Sequence, residues 1–170
     1  LSTINISTLA AIVCAELGLH IAKHGNTAVS SKTGASDLLQ QLGYDIRCPQ
    51  ELSRKNLEEN GFAFIFAQVY HPGMRFIAPI RKKLSTSTIF NLLGPLCNPC
   101  RINYQILGCY DPTQLVTMVK ALKIAGVDRA VAVNGNGMDD FQGMGAGILV
   151  IAGLFPKIGA IINVMPQPVL

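Results

Sequence analysis

The first feature that could do chemistry is a polar triplet, Asn5, Ser7 and Thr8, at the start of an apolar, alanine-rich stretch. A helix that begins here would present free backbone N–H groups and two hydroxyls at its N-terminus, the position where helices attract phosphate. The same residues would also serve as an ordinary helix cap. The triplet is therefore a candidate phosphate ligand only together with other groups.

A second polar segment, Lys23–Asn26, supplies such groups. It contains a cation, an imidazole, a glycine that allows close approach and an amide, and it follows a short apolar run that predicts a strand. Ser30–Gly34 adds hydroxyls and another glycine to the same strand-loop-helix unit. The pattern indicates a phosphate-binding loop, with a solvated loop as the alternative. It is not a P-loop, because the chain contains no GxxxxGK[ST] motif.

Two further groups could complete a site for an anionic substrate. Asp139 and Asp140 follow a glycine-rich strand end, where two carboxylates can hold Mg²⁺ while substrate phosphate oxygens complete the shell. His71 and Arg81 lie further upstream, and Arg81 could pair with a carboxylate through two parallel hydrogen bonds. The alternatives are a solvated acidic turn for the aspartates and a solvated helix face for the arginine.

Composition restricts the class of protein. The chain has 170 residues, the size of one domain, with 49% hydrophobic and only 14% charged residues. Such a low charged fraction indicates either that a partner covers much of the surface or that charged segments are missing. The net charge of +4 favours a phosphate ligand over a nucleic acid, because no basic run exceeds Arg81–Lys83.

The cysteines and the apolar runs favour a cytoplasmic protein. The five cysteines form a single CxxC pair, Cys97 and Cys100, so we expect reduced thiols and no zinc site. No basic segment precedes an apolar run as in a signal peptide. Polar residues interrupt the stretch Ile6–Ala22, and the run Ile148–Leu154 is short, so we expect no membrane span.

The elements that must position these residues are predicted to alternate between strand and helix. This order favours an α/β fold with a mainly parallel central sheet flanked by helices. Ligands then bind at the carboxyl ends of the strands, where we expect polar loops near residues 23, 68 and 134. The predicted helices begin near Ile6, Ala35, Pro49, Met74, Ile89 and Pro112, and the first is expected to bury Leu9, Ile12, Val13 and Leu17. The predicted strands are Leu19–Ala22, Asp45–Ile46, Phe62–Phe66, Gln105–Cys109 and Arg129–Val133.

Read in order, five segments closely resemble the anthranilate phosphoribosyltransferase family. They are Asn5–Thr8, Lys23–Asn26, Val29–Leu39, Tyr70–Met74 and Thr88–Pro99, within a resemblance that covers roughly residues 1 to 140. The resemblance implies the nucleoside phosphorylase-like α/β domain of that family. It also implies transfer of the phosphoribosyl group from phosphoribosyl pyrophosphate to the amine of anthranilate, with Mg²⁺ as cofactor, in tryptophan biosynthesis. We expect no single catalytic nucleophile, because positioning and charge stabilisation can carry this reaction.

The same resemblance implies three groups of site residues. The residues that would bind phosphoribosyl pyrophosphate are Asn5, Ser7, Thr8, Lys23, Asn26 and Ser31. The residues that would bind anthranilate are His24, Asn26, His71, Arg81 and Gly94. The metal ligands would be Ser7, Asp139 and Asp140. A homodimer and a glutamine amidotransferase partner are implied for the full-length protein, with no nucleic-acid or membrane partner.

The chain departs from the family pattern at several points. Thr27 stands where the family usually has arginine, and Asp140 stands where it usually has glutamate. The family's Gly-Thr-Gly-Gly-Asp segment and its N-terminal helical domain have no counterpart in the sequence. We therefore expect residues 1–170 to be a single, incomplete α/β domain with a discontinuity within residues 141–147.

Two other functions stay open at this point. A pyrimidine nucleoside phosphorylase has a related fold and a similar loop, but it lacks segments like His71-Pro72 and Phe90–Pro95. A non-catalytic relative that binds nucleic acid or a protein partner would tolerate Thr27. The retention of Lys23, Asn26, Arg81 and the acidic pair Asp139-Asp140 speaks against that second alternative, and the sequence shows no basic stripe with aromatics.

Overall fold

The computed structural model describes residues 5–27, 34–84 and 88–134. The helices are α1 (Ile6–Glu16), α2 (Ala35–Gln41), α3 (Gln50–Asn60), α4 (Ala67–Tyr70), α5 (Met74–Leu84), α6 (Ile89–Leu96) and α7 (Leu115–Ile124), the last preceded by a 3-10 turn at Pro112–Gln114. The strands are β1 (Ile21–Gly25), β2 (Phe62–Phe66), β3 (Tyr104–Gly108) and β4 (Arg129–Val133). None of the described helices is long and apolar enough to cross a membrane.

The described strands form two parallel pairs. In the first pair, Ile21 of β1 lies opposite Phe62 of β2 and Gly25 lies opposite Phe66. In the second pair, β3 lies beside β4 with Tyr104 opposite Arg129. Parallel neighbours require a crossover connection, which contains α2 and α3 in the first pair and α7 in the second. The predicted parallel α/β fold is confirmed, although the described strands form two separate pairs instead of one continuous sheet.

Each strand pair has its own hydrophobic core. The first core cluster consists of Ala35, Leu39, Ile46, Phe64 and Phe66. The second consists of Leu107, Cys109, Met118, Leu122 and Val127. In β2 four consecutive residues are buried, so both faces of this strand are covered. Burial on both faces explains why Phe62–Phe66 is a continuous apolar run without polar alternation.

The buried face of α1 differs from the prediction. Leu9, expected to be buried, is 40% exposed. The buried apolar side chains of α1 are small: Ala10, Ala11, Cys14 and Ala15. These small side chains allow α1 to pack closely against β1 and β2. The prediction assumed that the largest apolar side chains of the helix would be the buried ones.

Helix ends were predicted better than the loops at the strand ends. Gly18 and Gly43 follow α1 and α2 with φ of 92° and 84°, as expected for glycines that end helices. The pair Asp45–Ile46, predicted as extended, instead forms a turn in which the Asp45 carboxylate accepts a hydrogen bond from the Arg47 N–H at 2.9 Å. Local side-chain bonding of this kind competes with strand formation.

Three further boundaries differ from the prediction. Lys23–Gly25, predicted as part of a loop, lies within β1 because pairing with β2 continues through Gly25. Residue 68, predicted to lie in a loop, belongs to the short helix α4. Helix α6, predicted to stop at Gly94-Pro95, continues to Leu96. The missing N–H of Pro95 affects only the last helical turn.

Candidate active site

The N-terminus of α1 and the middle of β1 meet at a hydrogen-bonded cluster. Asn5 precedes α1, and its Oδ1 accepts hydrogen bonds from the Thr8 N–H at 3.1 Å, the Thr8 hydroxyl at 2.8 Å and the Ser7 hydroxyl at 3.1 Å. The Lys23 ammonium donates to the Ser7 Oγ at 3.1 Å. Ser7 and Thr8 are fully buried. The structure thus brings together the two polar segments that the sequence suggested as phosphate ligands.

The ammonium group of Lys23 is buried. Burial lowers the pKa of its ammonium from 10.5 to about 8, so the group keeps its charge at neutral pH. No described carboxylate forms an ion pair with it. A buried positive charge beside a helix N-terminus, whose contact within the described part of the chain is the uncharged Ser7 hydroxyl, favours an anionic ligand.

The neighbouring residue, His24, faces a different set of groups. Its ring lies edge-on to the ring of His71, with the centroids 5.2 Å apart and an angle of 83° between the planes. The pKa of His24 is lowered from 6.5 to about 4, mainly by burial and then by the nearby His71, while a hydrogen bond with the Gly94 backbone acts in the opposite direction. His24 is therefore neutral at physiological pH.

Both imidazoles have an unused nitrogen. The Nε2 atoms of His24 and His71 are buried and have no hydrogen-bond partner within the described part of the chain, and the same holds for the Tyr70 hydroxyl. Buried polar atoms without partners are costly unless a ligand or water pairs with them. The edge formed by His24, His71 and Gly94 therefore suits a flat ligand that carries polar groups.

Asn26 connects the ends of β1 and β2. Its Oδ1 accepts hydrogen bonds from the Thr27 N–H at 2.8 Å and from Gln68 Nε2 at 3.1 Å, and its backbone carbonyl accepts one from the Ser36 hydroxyl at 3.2 Å. With both bonds on Oδ1, the amide NH₂ of Asn26 is left to donate elsewhere. The sequence marked residue 68 only as a polar position, and the role of Gln68 was missed.

Asn98 was also missed. It lies just after α6, and its Nδ2 donates to the carbonyl oxygen of Ala22 in β1 at 3.1 Å. Its Oδ1 accepts the Cys100 N–H at 3.0 Å. The only sequence signal was the turn-forming pair Asn98-Pro99, which predicts where a helix stops and says nothing about the partner.

Some of the candidate site residues are not placed by the structure. Arg81 lies in α5, but its side chain is outside the described part, and Ser31, Asp139 and Asp140 belong to stretches that are not described. Among the described residues no group of three or more His, Cys, Asp or Glu side chains could hold a metal ion. Ser7 Oγ is a hard oxygen of the type that Mg²⁺ prefers, and its own proton points to Asn5. The same oxygen already accepts a hydrogen bond from the Lys23 ammonium at 3.1 Å, so Ser7 could bind a metal ion through Oγ only if Lys23 gave up this contact.

Comparison with known proteins identifies the family of this chain. Residues 1–154 match the model of the glycosyl transferase family, a/b domain. The chain belongs to this family. An a/b domain agrees with the parallel strand pairs and flanking helices of the structure.

Within this family, the chain is most usefully compared with curated relatives named anthranilate phosphoribosyltransferase. The chain is 50% identical over 140 residues to the anthranilate phosphoribosyltransferase of Lacticaseibacillus casei, an alignment that covers 82% of this chain and 41% of the relative. It is 51% identical over 139 residues to the enzyme of the same name from Actinobacillus succinogenes, covering 82% and 42%. The chain thus spans about two-fifths of the length of the curated relatives that it matches.

Solved structures of family members agree with this likeness. The anthranilate phosphoribosyltransferase of Thermus thermophilus superimposes with a TM-score of 0.74 at 48% identity, over 79% of this chain and 41% of that one. The Saccharomyces cerevisiae enzyme in complex with PRPP and Mg gives 0.73 at 37% identity, over 79% and 38%. The yeast enzyme in complex with 4-fluoroanthranilate gives 0.67 at 35% identity, over 81% and 37%. These relatives lend no support to the two alternative functions.

Proposed function

We propose that this chain is the substrate-binding a/b part of an anthranilate phosphoribosyltransferase. The protein would transfer the phosphoribosyl group from phosphoribosyl pyrophosphate to anthranilate in tryptophan biosynthesis. The observation that carries the proposal is the placement of Lys23 against Ser7 on one side of β1, with His24 against His71 and Gly94 at the next position. Adjacent residues of one strand then serve the two substrates. The names of the relatives, one of them solved with PRPP and Mg, support the same reaction.

The phosphoribosyl pyrophosphate site would be built on the α1–β1 cluster. Asn5 orders the first turn of α1, so that the hydroxyls of Ser7 and Thr8 are fixed in direction. Lys23 supplies the positive charge, and its remaining N–H groups can donate to phosphate oxygens. Asn26 offers its free NH₂ from the end of the same strand, and Ser31 would contribute from the following segment. The charge and donors of Lys23, with the NH₂ of Asn26 and the Ser31 hydroxyl, match the needs of a diphosphate, whereas the Ser7 and Thr8 hydroxyls would have to turn from Asn5 in order to donate to it.

The anthranilate site would lie at the His24–His71 edge. The neutral His24 imidazole can accept an N–H group of an aromatic amine without repelling it. Gly94 and Asn26 border the same region, and Arg81 of α5 would pair with the carboxylate of anthranilate. None of these residues would act as a strong base. Anthranilate has an amine of low basicity, which needs only to be positioned for the reaction.

Mg²⁺ would be held by Ser7, Asp139 and Asp140. When bound, the ion would neutralise the negative charge of the departing pyrophosphate. The chemical change is the formation of a bond from the amine nitrogen to the ribose C1, as the bond from C1 to the pyrophosphate oxygen breaks and one amine proton is released. The protein's own contribution is to hold both substrates in line and to exclude water from the buried cluster.

The assembly and the location of the protein follow as further proposals. We expect the full-length protein to be a cytoplasmic homodimer, as the resemblance to the anthranilate phosphoribosyltransferase family implies. The five cysteines are unpaired, in keeping with a reducing compartment. We also expect a glutamine amidotransferase as a fused or separate partner of the full-length protein. Neither nucleic acid nor membrane is needed for this chemistry.

The decisive experiment follows the fluorescence of anthranilate in the presence of the full-length protein, Mg²⁺ and phosphoribosyl pyrophosphate. We expect a loss of fluorescence that requires both additions. A folded protein that leaves the fluorescence unchanged under saturating conditions would refute the proposed reaction.

A variant of Arg81 then tests which of the two substrates this residue binds. Arg81→Ala should raise the KM for anthranilate by at least about tenfold, since a charge-assisted pair is lost, and should change the KM for phosphoribosyl pyrophosphate little. Arg54→Ala is the matched control, because Arg54 is an exposed arginine that pairs with Glu58 on α3. An equal rise in both KM values for Arg81→Ala would contradict the role in binding the carboxylate.

A further inference from the structure

The side chains of Asn26 and Gln68 meet at the carboxyl ends of two neighbouring strands. β1 and β2 are paired up to Gly25 and Phe66. Asn26 is the residue after β1, and Gln68 is the second residue of α4, the helix that follows β2. The Gln68 Nε2 donates to the Asn26 Oδ1 at 3.1 Å, across 42 positions of the sequence. The carboxyl ends of parallel strands are where ligands bind in α/β folds.

The spacing of residues on α4 matches the spacing on β1. Gln68 and His71 are three positions apart, about one helical turn, so they lie on the same face of α4. His24 and Asn26 are two positions apart and therefore share a side of β1. Both pairs are in contact, His71 with the His24 ring and Gln68 with the Asn26 amide. One face of α4 thus contacts two residues of the candidate site.

The backbone sets the orientation of the Asn26 amide. The N–H of Thr27 can only donate, so the atom that it meets at 2.8 Å must be the oxygen Oδ1. Gln68 therefore presents its NH₂ group to that oxygen, as the structure shows. If the Asn26 amide turned over, its NH₂ would face the Thr27 N–H, and two donors would be opposed. The Asn26 NH₂ is consequently directed away from both of these contacts.

The backbone and the side chain of Asn26 are held by different elements. The carbonyl oxygen of Asn26 accepts a hydrogen bond at 3.2 Å from the hydroxyl of Ser36, a fully buried residue of α2. This bond fixes the main chain but leaves the side-chain torsions free. The contact with Thr27 moves with Asn26, because the two residues are neighbours. Gln68 provides a contact with the amide from a separate element, α4.

We infer that Gln68 is a positioning residue, which holds the side-chain amide of Asn26 so that its NH₂ group is directed at the diphosphate of phosphoribosyl pyrophosphate. The identity of that ligand rests on the proposed function, whereas the contact between Gln68 and Asn26 does not. Gln68 acts through Asn26. An amide that is already restricted loses less side-chain entropy when the ligand binds.

The first test detects the contact without any substrate. In the full-length protein labelled with ¹⁵N, side-chain NH₂ signals report the hydrogen bonds of each amide. Asn26→Ala should move the NH₂ signals of Gln68 toward those of a free glutamine amide. Asn103→Ala is the control and should leave them in place, because Asn103 donates to Asp128 beside the second strand pair. Gln68 signals that do not move in folded Asn26→Ala would overturn the inference.

The second test measures whether Gln68 acts through Asn26. Gln68→Met keeps the length of the side chain and removes the donor, so it should weaken the binding of inorganic pyrophosphate, measured by calorimetry with Mg²⁺, by about threefold to tenfold. In the Asn26→Ala background the same change should alter the affinity by less than about twofold. Equal losses in both backgrounds, or a wild-type protein that does not bind pyrophosphate, would overturn the inference.

Kinetics then separate this inference from the proposed function. Gln68→Met should raise the KM for phosphoribosyl pyrophosphate by the same factor as it weakens pyrophosphate binding. Gln114→Met is the matched control, because Gln114 lies in the 3-10 turn before α7 and contacts the Thr113 hydroxyl. If the protein binds pyrophosphate but does not consume anthranilate, the proposed function fails, and the two affinities for pyrophosphate still decide the role of Gln68. If Gln68→Met does not fold, Gln68→Ala takes its place.

Discussion

Lys23 and His24 are adjacent in sequence, yet burial and neighbours give them opposite tasks. Side chains alternate between the two faces of a strand, so Lys23 points toward α1 and Ser7 while His24 points toward His71. Burial lowers the pKa of both residues, to about 8 for the lysine and about 4 for the histidine. At neutral pH the first is therefore charged and the second is neutral. In the proposed function, Lys23 would serve the diphosphate and His24 would serve the aromatic ring.

At Lys23 we predict a loss that is specific to phosphoribosyl pyrophosphate. Lys23→Met keeps most of the side-chain volume but removes the charge, so the KM for phosphoribosyl pyrophosphate should rise by about tenfold or more, the usual value of a charged hydrogen bond. Steady-state kinetics with each substrate varied in turn measures this. Lys55→Met is the matched control, because Lys55 is exposed on α3 and lies 3.9 Å from Glu59. A larger effect on anthranilate than on phosphoribosyl pyrophosphate would disagree with the assignment.

At His24 we predict a characteristic dependence of stability on pH. The folded pKa of about 4 lies below the ordinary value of 6.5, so the unfolded chain takes up the proton first as pH falls. The free energy of unfolding should therefore decrease between pH 6.5 and pH 4, by on the order of 2 kcal/mol after allowance for partial exposure of the ring. His24→Gln should flatten this part of the curve.

Urea unfolding at several pH values provides the measurement. His20→Gln is the control, because His20 is exposed just ahead of β1 and should leave the slope intact. If His24→Gln and wild type lose stability in parallel over the same pH range, the burial of a neutral His24 is refuted.

At the scale of elements, the junction between α3 and β2 fixes where β1 lies. Gly61 ends α3 with φ of 68°, and its carbonyl oxygen accepts the N–H of Ile21 at 2.7 Å, at the start of β1. A Cβ at this position would lie 2.9 Å from the backbone oxygen of Leu19. The glycine is thus required both for its backbone angle and for the close approach of the segment ahead of β1.

We therefore predict that Gly61→Ala is more harmful than an equivalent change at another helix end. The left-handed backbone costs an alanine about 1 kcal/mol, and the contact with Leu19 should bring the total above about 2 kcal/mol. Gly43→Ala is the matched control, because Gly43 has φ of 84° but no atom within 4 Å of an added Cβ. Thermal or urea unfolding of both variants gives the comparison. Equal destabilisation would show that the contact with Leu19 contributes nothing.

At the scale of the whole molecule, two separate apolar cores are joined by polar contacts. Phe64 belongs to the first core and Leu122 to the second, and the two described clusters share no residue. The segment Gly94–Asn98 contacts both strand pairs through hydrogen bonds to Ala22 and Gln105, and its Leu96 packs against the second core. Polar connections fix geometry with modest net stabilisation, while the cores supply most of the apolar burial.

This arrangement predicts that mutations in the two cores act independently. Phe64→Leu and Leu122→Val should each destabilise the intact protein by on the order of 1–2 kcal/mol, and the double variant should equal their sum within about 0.5 kcal/mol. Equilibrium unfolding of the four proteins completes the cycle. A coupling above about 1 kcal/mol would mean that the cores are in contact after all.

Much of the fold could be predicted because its signals are local. The apolar run Phe62–Phe66, the glycines after α1 and α2 and the alternation of strands with helices all depend on neighbouring residues, and the structure confirms them. The prediction was wrong where a hydrogen-bond partner, near or distant in sequence, determines a backbone conformation that the local sequence pattern does not indicate. Pairing with β2 drew Lys23–Gly25 into a strand, and the Asp45 side chain bent a segment expected to be extended.

The candidate site divides in the same way. From its residue types and their order, the sequence by itself indicated phosphate chemistry at Asn5–Thr8 and Lys23–Asn26, and family membership is confirmed. The assigned roles of the individual residues stay predictions. Only the tertiary structure decided that Lys23 contacts Ser7, 16 positions away, and that Asn98 holds Ala22, 76 positions away. Hydrogen bonds between distant segments depend on how the chain packs, and no local periodicity in a sequence records them.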